Sequence, residues 1–272
     1  MNVVIQALRI AYNGTPVVRD VSLHIESGEL VVIVGPNGSG KTTLLRGMSR
    51  LVRPEGGRVL IGGEDIRRLS AREVARRLAI LPQLPETAGD LTVRELVWRG
   101  RYPHQGLLQR ASAFDAEAVA WAMAATDTAR LAGRQLGSLS SGERQRAWIA
   151  LALAQQPDVL LLDEPTSFLD IQHQVEIMRL LRRLNSQGMT IIAVLHDLLL
   201  AGRYADRVIG IKDGRVAFDG PPAAVLTPAH LEPVFGVPMM VLRDPATGLP
   251  VPLPRPGPAD DVLAHSAADR RT

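Results

Sequence analysis

Three groups of residues in this chain have the types and spacing to do chemistry. The first is Gly35-Pro36-Asn37-Gly38-Ser39-Gly40-Lys41-Thr42, followed by Thr43. Its G-x-x-x-x-G-K-T spacing lets successive backbone N–H groups turn toward an anion, and it ends in a cation and a hydroxyl. Lys41 would reach the outer phosphates of a nucleotide such as ATP, and the Thr42 hydroxyl would ligate Mg²⁺. The second group, Asp163 and Glu164, ends the apolar run Val159 to Leu162. Asp163 would hold Mg²⁺ directly or through water, and Glu164 would orient or deprotonate an attacking water. Alone, an acid pair at a strand end is as readily a helix cap or turn. The third group, Ser140-Ser141-Gly142-Glu143, precedes a helical run and would offer an anion a free helix N-terminus, two serines and a glycine. Ser140-x-x-Glu143 is equally a capping box. The chain's own loop already holds one nucleotide, so a second anion site implies a second subunit.

The choice of lysine at position 41 carries information. Of 31 basic side chains only Lys41 and Lys212 are lysine, so arginine is this sequence's default cation. A compact ammonium on a flexible stem fits between phosphates where a planar guanidinium would not.

These groups need elements to hold them. Leu30 to Val34, Val159 to Leu162 and Thr190 to Leu195 are continuous apolar runs, as in strands buried on both faces of a parallel sheet. The first runs straight into the glycine loop, which passes into a helix over Lys41 to Leu51. Val21, Leu23 and Ile25 alternate with polar residues, predicting a half-buried strand with His24 toward solvent. Further strands and helices are expected at Arg58 to Ile61, from the capping box Ser70-x-x-Glu73 to about Ala79, and over Ile171 to Asn185. Residues from about 84 to 156 read as an inserted helical lobe holding all three tryptophans, Trp98, Trp121 and Trp148. Within it Thr92-x-x-Glu95 opens a helix that stops at Gly100, and Phe114 to Ala132 suggests another. Residues 1–249 are expected to form the working domain, and the proline-rich residues 250–272 a disordered tail.

Composition narrows the field. With 272 residues, 46% of them hydrophobic, the chain can bury a full core. The absence of cysteine excludes disulfides, thiolate metal sites and cysteine nucleophiles. The longest apolar stretch, Ile191 to Ala201, is broken by His196 and Asp197 and is too short to cross a membrane. The start MNVVIQALRI lacks the pattern of an export signal, so a cytoplasmic location is expected. The net charge of +3 comes from arginines dispersed among acids, which favours a solvated surface over a site for nucleic acid or an anionic membrane surface.

The motifs together resemble those of ATP-binding cassette ATPases over roughly Val4 to Gly236. The family's signature commonly reads LSGGQ, and Ser141 and Glu143 depart from it. The resemblance implies an α/β fold: a P-loop NTPase core with a mostly parallel sheet and flanking helices, an antiparallel β subdomain, and the inserted helical lobe. It implies roles for residues that would otherwise be unremarkable. Tyr12 matches the aromatic that stacks on adenine, and Gln83 the glutamine that touches Mg²⁺ and water and links the site to the lobe. Asp170 matches the loop that crosses to the partner subunit, and His196 the switch histidine at the terminal phosphate. Lys41, Gln83, Glu164 and His196 would then form the catalytic set. Gly35 to Thr43 and Tyr12 would bind ATP, and Ser140 to Glu143 with Asp170 would contact the partner's ATP. Thr42, Gln83 and Asp163 would surround Mg²⁺.

In this family two cassettes sandwich two ATP molecules. The resemblance therefore implies a homodimer at the cytoplasmic face of the membrane, working on two separate permease subunits with an extracytoplasmic substrate-binding protein. The stretches Glu95 to Leu107 and Leu169-Asp170-Ile171-Gln172-His173-Gln174 are similar to those of ATPase subunits of ferric-siderophore, iron-dicitrate, haem and cobalamin importers, and ferric siderophore is the favoured cargo. A soluble cassette ATPase acting on DNA or ribosomes would need a long coiled coil or a second cassette. A non-hydrolysing scaffold would need neither Glu164 nor His196.

Overall fold

Alternating apolar residues build the first strands of this computed structural model, which describes residues 1–83, 90–105 and 112–255. Strands β1 (Val3–Tyr12) and β2 (Thr15–Ile25) form an antiparallel hairpin, with Val21, Leu23 and Ile25 inward and His24 exposed. β3 (Leu30–Val34) leads into the glycine loop and α1 (Lys41–Met48). β4 (Gly56–Ile61) and the short β5 (Glu64–Asp65) complete an antiparallel sheet in the order β2-β1-β4-β5. After α2 (Ala71–Arg77) comes β6 (Leu78–Leu81). The lobe follows, with α3 (Val93–Trp98), α4 (Ala113–Ala125) and α5 (Ser141–Ala154). The chain then alternates through β7 (Val159–Asp163), α6 (Ile171–Ser186), β8 (Thr190–Val194), α7 (Leu198–Tyr204) and β9 (Arg207–Lys212). It ends with β10 (Arg215–Gly220), α8 (Pro222–Val225), α9 (Pro228–Phe235), β11 (Met239–Arg243) and β12 (Pro250–Pro254).

The second sheet has the order β10-β9-β3-β8-β7-β6, and the pairs joining β9, β3, β8, β7 and β6 are all parallel. Every residue of β3, β7 and β8 is buried, because both faces are covered. Successive side chains of a strand point to opposite faces, and here they divide between two cores. Leu30, Val32, Val34, Leu160, Leu162, Ile191 and Ala193 pack with Leu96, Ala122 and Leu153 of the lobe. Val31, Ile33, Val159, Leu161, Ile192 and Val194 pack with Leu44 and Met48 of α1 and with the antiparallel sheet. The lobe is thus continuous with the main core.

Several expected boundaries shift. The helix opened by Ser70 ends at Arg77, not near Ala79, because Leu78 to Leu81 are taken into the parallel sheet beside β7. The helix expected over Phe114 to Ala132 stops at Ala125, and a separate 3₁₀ turn spans Ala129–Leu131. Asp127 between them adopts a left-handed φ of 56°, which no helix accommodates. The first helix ends at Met48, short of Leu51. The tail expected from 250 is ordered over Pro250–Pro254, which pairs antiparallel with β11. Prolines 250, 252 and 254 are tolerated because β12 is a sheet edge. Residues 84–89 and 106–111 of the lobe and 256–272 of the tail lie outside the described residues.

One buried ion pair ties the lobe together. Arg101 is completely buried; its Nε donates to Asp115 Oδ1 at 2.9 Å, and a terminal nitrogen donates to Ala154 O and Gln156 Oε1 at 2.6 and 3.0 Å. Burial pushes the Asp115 carboxyl up, but the Ser112 amide and then the Arg101 and Ser112 side chains outweigh it and bring it down to about 2. Replacing Asp115 by alanine would strand a buried guanidinium and is expected to lower the unfolding free energy by ~3–5 kcal/mol, read as a lower urea midpoint. Because the carboxyl is depressed, the pair's contribution is complete above the ordinary aspartate value of 3.8 and is lost as pH falls through about 2. The stability gap between the wild type and Asp115→Asn should therefore narrow only in that acid window.

Candidate functional site

The three adjacent parallel strands β3, β8 and β7 deliver their carboxyl ends to one edge of the sheet, which is where ligands bind in open parallel sheets. β3 delivers Gly35 to Gly40, β7 delivers Asp163 and Glu164, and β8 delivers His196. β6, beside β7, ends two residues before Gln83, so that exposed amide lies at the same edge.

The loop is shaped by what its glycines must avoid. A Cβ on Gly35 would sit 2.2 Å from Ile211 O, at a φ of 152°. Gly40 caps α1 in the left-handed region and lies against Val17 O. The helices α2, α3, α4 and α5 all begin with capping boxes, whereas α1 has no side-chain cap and no acid in its first turn. Its positive end is thus left for an anion. Lys41 Nζ donates to Gly35 O and Pro36 O, both at 2.9 Å, leaving one of its three protons for a phosphate oxygen. The Ser39 hydroxyl is buried in the loop with no partner among the described residues. An open cavity of about 250 Å³ is lined by Val17, Asn37, Gly38, Gly40, Lys41, Thr42, Thr43 and Glu164. Tyr12 is 41% exposed and stands on the hairpin that carries Val17.

Charge is concentrated here at some expense. Burial pulls the Lys41 ammonium below its ordinary value, while Glu164 and Asp163 pull it back up. Burial pushes the Asp163 carboxyl up, opposed by the hydrogen bond from the Thr42 hydroxyl, 3.0 Å from Oδ1. A hydroxyl and a carboxylate within contact of each other form an all-oxygen donor set, which suits Mg²⁺. Glu164 adopts a left-handed φ of 54°, a conformation rare for a residue with a Cβ. Both of its oxygens are engaged: His196 Nε2 lies 2.6 Å from Oε1, and Ser167 Oγ donates to Oε2 at 3.0 Å. Ser167 is the residue that sequence reasoning missed. Its only signal was its spacing, three residues after Glu164 in a proline-initiated turn.

Ser140 to Glu143 and Asp170 do not line this cavity. The N-terminus of α5 is also less free than the sequence suggested. Glu143 accepts from Ser140 N at 3.1 Å while Ser140 Oγ accepts from Glu143 N, so the helix caps itself. Arg130 and Arg134 approach the Glu143 carboxylate at 3.6 and 3.9 Å and offset its charge. The amides of Ser141, which is exposed, and Gly142, which is buried, have no intramolecular acceptor among the described residues. Asp170 caps α6 by accepting from His173 N at 2.9 Å. In the loop before it Phe168, at a left-handed φ of 61°, is 90% exposed and Ile171 is 79% exposed.

Residues 18–167 match the family described as ABC transporter. The ferric enterobactin transport ATP-binding protein FepC of Escherichia coli K12 is 45% identical over 257 residues, covering 93% of this chain and 95% of that protein. The probable siderophore transport system ATP-binding protein YusV of Bacillus subtilis 168 is 46% identical over 250 residues, covering 92% of this chain and 91% of that protein. Among solved structures, the dimeric post-hydrolysis state of the ATP-binding cassette MJ0796 bound to ADP and Pi superposes with a TM-score of 0.68 at 29% identity, covering 80% of this chain and 98% of that one.

The contact between Thr42 and Asp163 yields a direct test of the metal assignment. Thr42→Val keeps the shape of the side chain and removes the hydroxyl. In a fluorescence titration it is expected to bind labelled ATP within about twofold of the wild type in EDTA, and to lose about tenfold or more of the affinity gained on adding Mg²⁺. A full Mg²⁺ gain in the variant would remove Thr42 from the metal site.

Proposed function

The chain belongs to the ABC transporter family and is an ATP-hydrolysing subunit of it, and from that premise we propose that it powers import of a ferric siderophore through separate membrane permease subunits. The cargo rests on one observation: two relatives whose names specify ferric enterobactin and siderophore transport match more than nine-tenths of the chain at 45% and 46% identity. No helix among the described residues is long and apolar enough to cross a membrane. The subunit would accordingly sit peripherally at the cytoplasmic face, on two permeases fed by an extracytoplasmic substrate-binding protein.

Gly35 to Thr43 cradle the triphosphate with backbone amides and the N-terminus of α1, Lys41 holds the outer phosphates, and Tyr12 stacks on adenine. Thr42 and Asp163, together with Gln83, would hold Mg²⁺, which when bound would neutralise charge on the phosphates. Glu164 takes the position of the group that orients or deprotonates the attacking water. His196 and Ser167 grip its two oxygens and fix the carboxylate's direction. That fixed direction is what hydrolysis needs, since phosphoryl transfer relies on positioning and charge stabilisation rather than on covalent help from the protein.

One subunit presents two incomplete halves. The loop cavity of one copy would be closed by Ser140 to Glu143 and Asp170 of a second, with exposed Phe168 and Ile171 buried between them. Closing on ATP and reopening after hydrolysis would then move the two lobes, and that motion is the output passed to the permeases.

Replacing Glu164 by glutamine keeps its size and removes its charge. Turnover should fall by ~10²–10⁴-fold, and size-exclusion chromatography with light scattering should find an ATP-trapped dimer. Undiminished turnover would end the catalytic assignment. For the cargo, ATPase activity of the complex purified with its permeases should rise when a binding protein loaded with ferric siderophore is added. Stimulation by a cobalamin-loaded binding protein instead would move the chain to that branch of importers.

A further inference from the structure

The two elements that would reach the partner's nucleotide, the start of α5 and the loop before α6, are bridged inside one subunit by the side chain of His173. His173, in the first turn of α6, places its Nδ1 2.8 Å from Asp170 Oδ1, while its backbone N–H donates to the same oxygen at 2.9 Å. The other edge of the ring lies against the α5 backbone. A Cβ built on Gly142 would fall 2.0 Å from His173 Cδ2, 2.6 Å from Cγ and 2.8 Å from Nε2. Gly142 is therefore a glycine because the imidazole occupies its side-chain position. One turn further along both helices, Arg146 donates to Glu176 at 2.8 Å. Gly142 and Arg146 are four apart on α5, and His173 and Glu176 three apart on α6, so each pair shares a helix face and the two contacts form successive rungs. Gln174 holds the other side of the loop, donating to Thr166 O at 3.3 Å and Leu169 O at 3.1 Å.

We propose that His173 is a positioning residue for ATP hydrolysis, holding the Asp170 carboxylate and the Gly142 backbone in fixed register so that both engage the partner's nucleotide as one rigid unit. The inference rests on the reading of two half-sites given above. A ring seated on a glycine permits no sliding of α5 against α6, because the near contact is backbone rather than the flexible end of a side chain. The hydrogen bond gives the loop one carboxylate direction. Neither contact touches the nucleotide-binding loop of the same subunit, so the effect should fall on dimer closure and turnover and not on the first capture of ATP.

The test uses the full chain carrying Glu164→Gln, with ATP-driven dimerisation followed by light scattering. Two further substitutions separate the two contacts. His173→Phe keeps a ring over Gly142 and removes the donor to Asp170, whereas His173→Asn keeps a donor near the Nδ1 position. The Phe variant should need about tenfold more ATP for half-dimerisation, and the Asn variant should stay within about threefold of the parent. With the wild-type Glu164 restored, His173→Phe should lower kcat while binding of labelled ATP to the monomer stays unchanged. A Phe variant that dimerises at the parent's ATP concentration with normal kcat overturns the proposal. So does one that loses monomer ATP binding in step with dimerisation. If Glu164→Gln itself forms no ATP-dependent dimer, the two-half-site reading fails and takes this inference with it.

Discussion

The hydrogen-bonded register of β3, β8 and β7 is the constraint on which the rest of this molecule depends. Val32 pairs with Ala193 and Leu162 with the same residue from the other side, so the three strands end nearly level. A parallel sheet of this kind must be covered on both faces, and the chain meets that need with two different layers, the lobe on one side and α1 with the antiparallel sheet on the other. Neither layer can shift without exposing one set of alternating strand residues. The glycine loop, the acid pair and His196 therefore inherit a rigid base although each follows a different strand, and the Thr42 to Asp163 and Glu164 to His196 contacts can form across the strand ends.

The chemistry at that edge asks for groups that folding alone would not choose. Lys41 is buried with its ammonium held by two carbonyls, burial pushes the Asp163 carboxyl up, and the Ser39 hydroxyl has no partner among the described residues. Unfavourable arrangements of this sort persist where a ligand resolves them. A triphosphate would accept from the remaining Lys41 proton and the loop amides, and a divalent ion would share the charge on Asp163. α1 fits the same account from the opposite direction, since it lacks the acidic first turn that neutralises the ends of its neighbours.

Much of this was legible in the sequence because the relevant signals are local. A buried parallel strand announces itself as an unbroken apolar run, and a capping box needs only two residues three apart; Ser70, Thr92 and Ser140 all behave as their spacing requires. What escaped was decided by distant partners. Leu78 and Ala79 continue the helical run in isolation, but with Ile80 and Leu81 they become a strand because β7 offers an open edge. Pro250 to Pro254 have the composition of a disordered tail, yet β11 pairs with them. Ser167 and His173 gave little local sign, since their contacts with Glu164 and Gly142 exist only in the folded chain.

Glu143 shows how far local rules and function can diverge at one residue. As the third residue of α5 it completes a capping box, and by that rule glutamate serves better than glutamine because it adds a charge that favours the helix N-terminus. Under the proposed second half-site it is the wrong charge, since that helix end would face a phosphate. The surroundings reconcile the two. Hydrogen bonding from Ser140 N holds the carboxyl low, so it stays ionised, and Arg134 and Arg130 stand beside it to offset the charge. The carboxylate oxygen is turned back onto Ser140 N, and among the described residues the amides of Ser141 and Gly142 have no intramolecular acceptor. A departure from the family's usual signature is thus compatible with the proposed task, because two arginines outside the motif, invisible to any reading of the motif itself, stand beside the added charge.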